Sequence, residues 1–292
     1  MKLLLFGAGG QVGWELQRAL APLGELTALH RGDIDFKSGD ALQARVEAVA
    51  PQAIVNAAAY TAVDRAETEP EFAHAINAAA PARLARAARS LGAWLVHYST
   101  DYVFDGSGDA PRDEDAATAP LNVYGRTKLD GERAIRAANC RHLILRTSWV
   151  YAARGGNFAR TMLGLAAERE RLSVVADQVG APTGAELIAD ATAHALRVAF
   201  ERPGVSGTYH LVAGGETSWH GYAMHVIDAA RRAGRALTVQ RIDPIATRDW
   251  PTPAARPLNS RLATRKFAET FGLSMPPWQA GVDRMLAEVL GE

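Results

Sequence analysis

The sequence lacks the features that mark several classes of protein. It has a single cysteine, Cys140, so no internal disulfide can form, and a reducing cytoplasm is the expected location. No apolar run approaches the length of a bilayer-spanning helix, which argues against a membrane protein. Acidic and basic residues number 32 each and no basic block stands out, so nucleic acid is not an expected partner.

What remains is the composition of a globular protein. Hydrophobic residues make up 48% and charged residues 22% of 292 residues, which is enough to bury a sizeable core. That length fits one large α/β domain with a smaller one appended. Cys140 itself is expected to be a small apolar filler of the core.

The first half of the chain alternates strand-like and helix-like segments. Strands are predicted at Lys2–Phe6, Glu25–Leu29, Ala53–Asn56, Trp94–Ser99 and His142–Thr147. Amphipathic helices are predicted at Val12–Leu20, Ala41–Val49, Glu71–Leu91 and Tyr124–Ala138. This alternation predicts an α/β fold with a Rossmann-like, doubly wound parallel sheet covered by helices on both faces.

Beyond about residue 150 the alternation loosens and prolines interrupt shorter elements. We therefore expect a dinucleotide-binding Rossmann domain over residues 1–150 and a smaller C-terminal α/β lobe, mainly for substrate, over 151–292. Some later segments could return to the first domain. The stretch Asp105–Leu121, rich in Gly, Asp and Pro, is predicted to be a surface loop at the ligand-binding edge of the sheet.

A glycine-rich turn joins the first strand to the first helix. Its sequence is Gly7-Ala8-Gly9-Gly10-Gln11-Val12-Gly13. Gly7 would permit the tight turn, Gly10 would let a pyrophosphate approach the backbone, and Gly13 would let the helix pack closely on the strand. Free amides at the helix N-terminus attract phosphate. The turn and its position predict a dinucleotide site.

The end of the second strand bears on which dinucleotide binds. An acid there would hold the ribose hydroxyls of NAD, but this chain has His30 and Arg31. A cationic pair favours the 2′-phosphate of NADPH. NADH stays open, because Asp33 or Asp35 could still reach the adenosine half of the cofactor.

Tyr124 and Lys128 are four residues apart on a predicted helix and therefore share one face. An adjacent ammonium would lower the pKa of a phenol from about 10 and make it a proton donor to a carbonyl. Thr100, at the end of the fourth strand, would donate a hydrogen bond to the same carbonyl. Taken alone, the spacing of Tyr124 and Lys128 could arise by chance. Thr100 alone could be only a β-branched residue that ends a strand.

Several further segments extend this pattern. They are Phe6–Gly13, Val55–Asp64, His97–Phe104, Pro120–Gly125, Arg146–Tyr151, Asp177–Thr183 and Arg256–Ser260. With them the chain resembles, from end to end, the extended short-chain dehydrogenases that act on nucleotide sugars. The resemblance implies NADPH- or NADH-dependent reduction of the C4 keto group of dTDP-4-dehydro-L-rhamnose.

The resemblance also implies roles for particular residues. Tyr124 would be the proton donor, Lys128 its partner and Thr100 the carbonyl-binding hydroxyl, while Asp101 and Trp149 would touch the sugar. The residues implied to contact the cofactor are Gly7, Gly10, Gln11, Val12, Gly13, His30, Arg31, Asp35, Phe36, Ala59, Tyr60, Thr61, Tyr124 and Lys128.

Two other functions and one further ligand stay open. Sugar dehydratases follow the equivalent threonine with Asp-Glu, whereas Tyr102 follows Asp101 here, which favours simple reduction. An epimerase could use the same Tyr–Lys pair. A non-catalytic regulatory subunit is the other alternative, since the regulatory partner of methionine adenosyltransferase resembles this family. No metal site is assigned, although Glu15 and Glu186 could hold a divalent ion such as Mg²⁺ at a surface or at the contact of a homodimer.

Overall fold

The strands follow the predicted alternation. The computed structural model describes residues 1–291. Its strands are β1 Lys2–Phe6, β2 Glu25–Leu29, β3 Ala53–Asn56, β4 Trp94–Thr100, β5 Arg141–Thr147, β6 Val150–Tyr151, β7 Arg171–Val175, β8 Val179–Gly180, β9 Thr183–Gly184, β10 Gly207–His210, β11 Thr217–Ser218 and β12 Arg241–Ile245. The first three predicted strands have the predicted bounds, and the next two are each one residue longer than predicted.

One parallel sheet organises the chain, with strand order β10-β5-β4-β3-β1-β2. Apolar side chains of β1, β3 and β4 are buried on both faces, which is why these strands read as nearly continuous hydrophobic runs. The strand order reverses between β1 and β3. In open sheets of this kind, ligands bind beyond the carboxyl ends of the strands at such a switch point.

Helices cover both faces of the sheet. They are α1 Gln11–Leu20, α2 Gly39–Val49, α3 Val63–Ala66, α4 Pro70–His74, α5 Ala80–Leu91, α6 Val123–Ala137, α7 Phe158–Glu168, α8 Ala185–Glu201, α9 Trp219–Arg232, α10 Arg265–Phe271 and α11 Trp278–Leu290. No helix within residues 1–291 combines the length and apolarity that crossing a membrane requires.

The long helix predicted at Glu71–Leu91 is not uniform. Between α4 and α5 the segment Ala75–Ala79 is a π-helix, in which the amide of Ala80 donates to the carbonyl of Ala75. The widened turn meets α6 at Gly131, where an added Cβ would lie 2.2 Å from the carbonyl oxygen of Asn77. Periodicity could not reveal this, because a π-turn shifts the helical register by a single residue.

Some segments beyond residue 150 belong to the first sheet and its core. Strand β10 is its sixth strand, and α8 packs against the same core as β1 and β4. The later lobe is built instead from α7, α9 and α11 with the pair β7 and β12, around separate apolar clusters that include Tyr222 and Trp278.

Gly13 is expected to tolerate no side chain. An added Cβ would lie 2.0 Å from the carbonyl oxygen of Gly7, so Gly13→Ala must push α1 away from β1. We expect a loss of about 1–3 kcal/mol in the free energy of unfolding, measured with urea, together with weaker dinucleotide binding. Gly164→Ala in α7 is the control, because an added Cβ there meets nothing within 4 Å. It should raise stability by about 0.5–1 kcal/mol, and equal effects of the two changes would contradict the packing argument.

Candidate active site

The glycine-rich turn lies at the switch point. Gly7 follows β1 with φ +82°, and its hypothetical Cβ would lie 2.6 Å from the amide nitrogen of Ala58, which follows β3. Only glycine allows both this backbone conformation and this close approach. Gly10 is exposed just before α1, and its hypothetical Cβ would lie 3.4 Å from the carbonyl oxygen of Gly7. The turn thus leaves backbone open at the helix N-terminus.

A cavity of about 960 Å³ opens beside this turn, which suits a ligand larger than a simple sugar. Its lining contains these residues of the implied cofactor set: Gly7, Gly10, His30, Arg31, Asp35, Phe36, Ala59, Tyr60 and Thr61. The other members of that set do not line it: Gln11, Val12, Gly13, Tyr124 and Lys128. The Gln11 side chain donates to the carbonyl oxygen of Gly156 at 2.9 Å, while Val12 packs against the core.

Basic and acidic side chains alternate at the rim after β2. His30 and Arg31 are both exposed there. The nearby acids are engaged in turns: Asp33 accepts from the His30 amide at 2.7 Å, and Asp35 accepts from the Lys37 amide at 2.9 Å. Arg31 and Lys37 are the two side chains of permanent positive charge that line the cavity at this rim.

Thr100 and Asp101 lie at the carboxyl end of β4 and are both buried. The Thr100 hydroxyl donates to Oδ1 of Asp101 at 3.0 Å. Oδ2 of Asp101 accepts no hydrogen bond of normal geometry within the described part of the chain, although the Ser260 hydroxyl lies near enough to oppose the rise in the pKa of this carboxyl. Burial raises the pKa of this carboxyl to about 6. A buried acceptor without a protein partner suits a hydroxyl-bearing ligand.

Tyr124 stands in the first turn of α6, beside Thr100. Asn122 caps this helix by accepting from the Gly125 amide at 2.8 Å. The helix approaches the turn after β4 closely, since a Cβ on Gly125 would lie 2.2 Å from the carbonyl oxygen of Tyr102. Burial raises the pKa of Tyr124 to about 12, and the Thr100 hydroxyl opposes that rise. The phenol is therefore protonated at neutral pH.

Lys128 does not interact with Tyr124 as the sequence predicted. Its Nζ donates to the carbonyl oxygen of Tyr98 at 2.5 Å and lies 3.3 Å from Nε2 of His97. No hydrogen bond joins Lys128 to Tyr124 among residues 1–291, and the pKa of the phenol is raised rather than lowered. The prediction that the ammonium lowers that pKa is wrong for this arrangement. The reason is that α6 places Lys128 deeper, 2% exposed, where burial lowers its own pKa to about 8.

Sequence reasoning missed two buried residues that tie α6 to its neighbours. Asn77, fully buried in the π-helical segment, accepts from the Tyr60 amide at 2.9 Å and donates to Thr127 Oγ1 at 3.2 Å. Glu132, also fully buried, pairs with Arg146 of β5 at 2.7 Å. A buried carboxylate in a helix that contains catalytic candidates was the available signal.

Trp149 follows β5 in a left-handed conformation with φ +49°, which is unusual for a bulky residue. Its ring stacks on Trp219 at 3.7 Å between centroids and 14° between planes. Gln178 accepts from the Trp219 indole nitrogen at 3.1 Å. The stack brings together the first and second lobes at the site predicted to hold the sugar.

Glu15 and Glu186 each pair with an arginine. Glu15 lies 3.6 Å from Arg18, and Glu186 lies 3.3 Å from Arg284. Within residues 1–291, no group of three or more histidine, cysteine or acidic side chains is placed to hold a metal ion.

The fold and the site define a class of protein. A parallel sheet with a glycine-rich turn at its switch point, and a Tyr–Lys helix beside it, is the arrangement of the Rossmann-like short-chain dehydrogenases. The model of one family, described as the RmlD substrate binding domain, matches residues 1–290, and the chain belongs to that family.

Similar proteins cover the whole chain. The dTDP-4-dehydrorhamnose reductase of Shigella flexneri is 58% identical over an alignment of 293 positions, which covers 99% of this chain and 98% of that protein. The crystal structure of a dTDP-4-dehydrorhamnose reductase from Clostridium acetobutylicum superposes with a TM-score of 0.90 at 34% identity and full coverage of both chains. The Bacillus anthracis enzyme of the same name, in complex with NADP, gives a TM-score of 0.89 at 34% identity, covering 99% of this chain and 100% of that one.

Proposed function

We propose that this protein is a dTDP-4-dehydrorhamnose reductase, which reduces the C4 keto group of dTDP-4-dehydro-L-rhamnose to dTDP-L-rhamnose with NADPH. One observation carries the proposal: the end-to-end likeness to reductases of that name coincides with Thr100 at the end of β4 lying against Tyr124 of α6, the helix that also carries Lys128. NADH is the alternative cofactor.

The chemistry divides between the cofactor and the chain. Bound NADPH supplies a hydride to C4. Tyr124 gives its phenolic proton to the carbonyl oxygen, and its raised pKa of about 12 keeps that proton in place until it is needed. Thr100 turns its hydroxyl from Asp101 to the same oxygen. Lys128 would hydrogen-bond the ribose hydroxyls of the cofactor and stabilise the phenolate left on Tyr124, and both contacts would require its Nζ to leave the Tyr98 carbonyl.

The sugar would lie between the two lobes. Asp101 offers its unpartnered Oδ2 to a sugar hydroxyl, and the Trp149 ring, fixed by Trp219, packs against the apolar face of the sugar. These two contacts would set which carbon faces Tyr124. The rest of the nucleotide would contact the later lobe.

Arg31 is expected to discriminate between the two cofactors. If it pairs with the 2′-phosphate, Arg31→Ala should raise the KM for NADPH about 10- to 100-fold and change the KM for NADH little, because a charge-assisted hydrogen bond contributes about 1.5–3 kcal/mol. Arg45→Ala, on the exposed face of α2 and away from the cavity, is the matched control and should change neither value. Equal loss with both cofactors would contradict the pairing.

The direct test is consumption of NADPH. The purified chain, mixed with dTDP-4-dehydro-L-rhamnose, should oxidise NADPH at a rate that depends on substrate, with dTDP-L-rhamnose as product by chromatography. Cofactor binding without turnover would favour a regulatory subunit. A new sugar isomer without net NADPH consumption would favour an epimerase.

A further inference from the structure

A buried chain of side chains connects β3 to the lysine of the site. Asn56, His97 and Lys128 are at most 2% exposed. The side-chain amide nitrogen of Asn56 lies 3.1 Å from His97 Nδ1, and His97 Nε2 lies 3.3 Å from Lys128 Nζ. Nothing in the proposed chemistry uses Asn56 or His97.

A backbone amide fixes the orientation of the Asn56 side chain. The amide of Ala58, in the loop that lines the cavity, donates to Asn56 Oδ1 at 3.2 Å. A backbone N–H must face an acceptor, so the oxygen points to Ala58 and the NH₂ group points to His97. His97 Nδ1 must then accept, and the single proton of the neutral imidazole is on Nε2.

This tautomer directs an N–H at Lys128. An ammonium group has no acceptor, whereas a neutral amine offers one lone pair. All the hydrogen bonds of the chain are therefore satisfied together only when Lys128 is neutral: Ala58 to Asn56, Asn56 to His97, His97 to Lys128, and Lys128 to the Tyr98 carbonyl.

We propose that His97 is a positioning residue of the reductase. Held by Asn56 with its proton on Nε2, it disfavours the ammonium of Lys128 and, together with burial, lowers the pH above which the reaction slows. The inference rests on the proposed function only for its kinetic consequence. The tautomer itself is a property of the protein alone.

The other titratable groups near Lys128 lie on α6, β4 and β5. Glu132, one turn further along α6, favours the ammonium, but it is paired with Arg146 of β5. Tyr124 on α6 and the hydroxyl of Tyr98 on β4 are neutral phenols at neutral pH, with their pKa values raised by burial. Burial and the charge of Lys128 lower the pKa of His97, which keeps the imidazole neutral. Burial lowers the pKa of Lys128 to about 8.

The tautomer can be measured by nitrogen NMR on protein labelled with ¹⁵N-histidine, with His97 assigned from the signal lost in His97→Gln. We expect His97 Nδ1 to be the unprotonated nitrogen in the wild-type protein. An unprotonated Nε2, or an imidazolium at neutral pH, would overturn the proposal. This measurement does not require turnover, so its outcome can be distinguished from a failure of the proposed function.

The pH profile of kcat/KM tests the consequence. Because the ammonium is the active form, activity should be full below a pH of about 8 and fall as the pH rises through that value. Asn56→Asp would accept from Nδ1–H, leave Nε2 to accept from the ammonium, and move this limb up by about one unit or more. Asn56→Leu removes the donor without adding charge, and should move the limb the same way by a smaller amount. If the fall in kcat/KM at high pH moves only in Asn56→Asp, the effect is one of charge alone. If it moves in neither variant, Asn56 has only a structural role. Either result would overturn the proposal.

Discussion

Replacing Tyr124 with phenylalanine should lower kcat about 10²- to 10⁴-fold, the range that a positioned general acid contributes. The change removes one oxygen and leaves the ring, which packs edge to face against Tyr102 at 5.6 Å between centroids. We therefore expect the melting temperature and the affinity for NADPH to stay near their wild-type values. Stopped-flow measurement of NADPH oxidation with saturating substrate would give the rate.

Tyr102→Phe is the matched control, because Tyr102 is the adjacent phenol and its ring forms the other half of that pair. It should retain most of the activity. If both variants lose activity alike, the phenols act through local structure. If Tyr124→Phe keeps near wild-type turnover, another group must deliver the proton.

Replacing Arg146 with methionine should destabilise the protein by about 3–5 kcal/mol, because a buried carboxylate loses the guanidinium that binds both of its oxygens and keeps only the partly exposed Arg136. Glu132 is fully buried and Arg146 is 2% exposed. The guanidinium donates to both carboxylate oxygens, at 2.8 and 2.7 Å. Burial alone would raise the pKa of Glu132, but Arg146 holds that pKa below its usual value. The pair therefore stabilises the fold fully above the usual pKa of a glutamate, and this stabilisation is lost as the pH falls through the lowered pKa. Urea unfolding at neutral pH measures the loss.

Arg136 supplies the control for that experiment. It also contacts Glu132, at 3.1 Å, but its side chain is 39% exposed, so Arg136→Met should cost no more than about 1 kcal/mol. The double change Glu132→Leu with Arg146→Met should recover much of the loss, because no unpaired charge stays buried. Similar losses in the two single variants would show that burial does not decide the effect.

Local patterns predicted the sheet well for a physical reason. Strands β1, β3 and β4 are buried on both faces, so their apolar runs carry the whole signal. The glycine-rich turn was predictable because the close approaches at Gly7 and Gly13 exclude any other residue. Helix α6 and its shared face for Tyr124 and Lys128 followed from spacing.

Long-range contacts could not be predicted in the same way. The contact of Lys128 with the Tyr98 carbonyl depends on how deeply α6 packs on β4, which the spacing of two residues does not specify. Asn77 donates a hydrogen bond to Thr127, which is 50 residues away in sequence, from a position within the π-helical segment. The place of β10 in the sheet likewise depends on the chain returning after residue 200.

The most direct test of the proposed function follows the hydride itself. NADPH carrying deuterium at the transferable position of its nicotinamide should be incubated with the protein and dTDP-4-dehydro-L-rhamnose, and the sugar product examined by NMR. We predict one deuterium, located at C4 of dTDP-L-rhamnose. A sugar product without deuterium at C4, or no sugar product while NADPH binds, would contradict the assignment of this chain as a reductase.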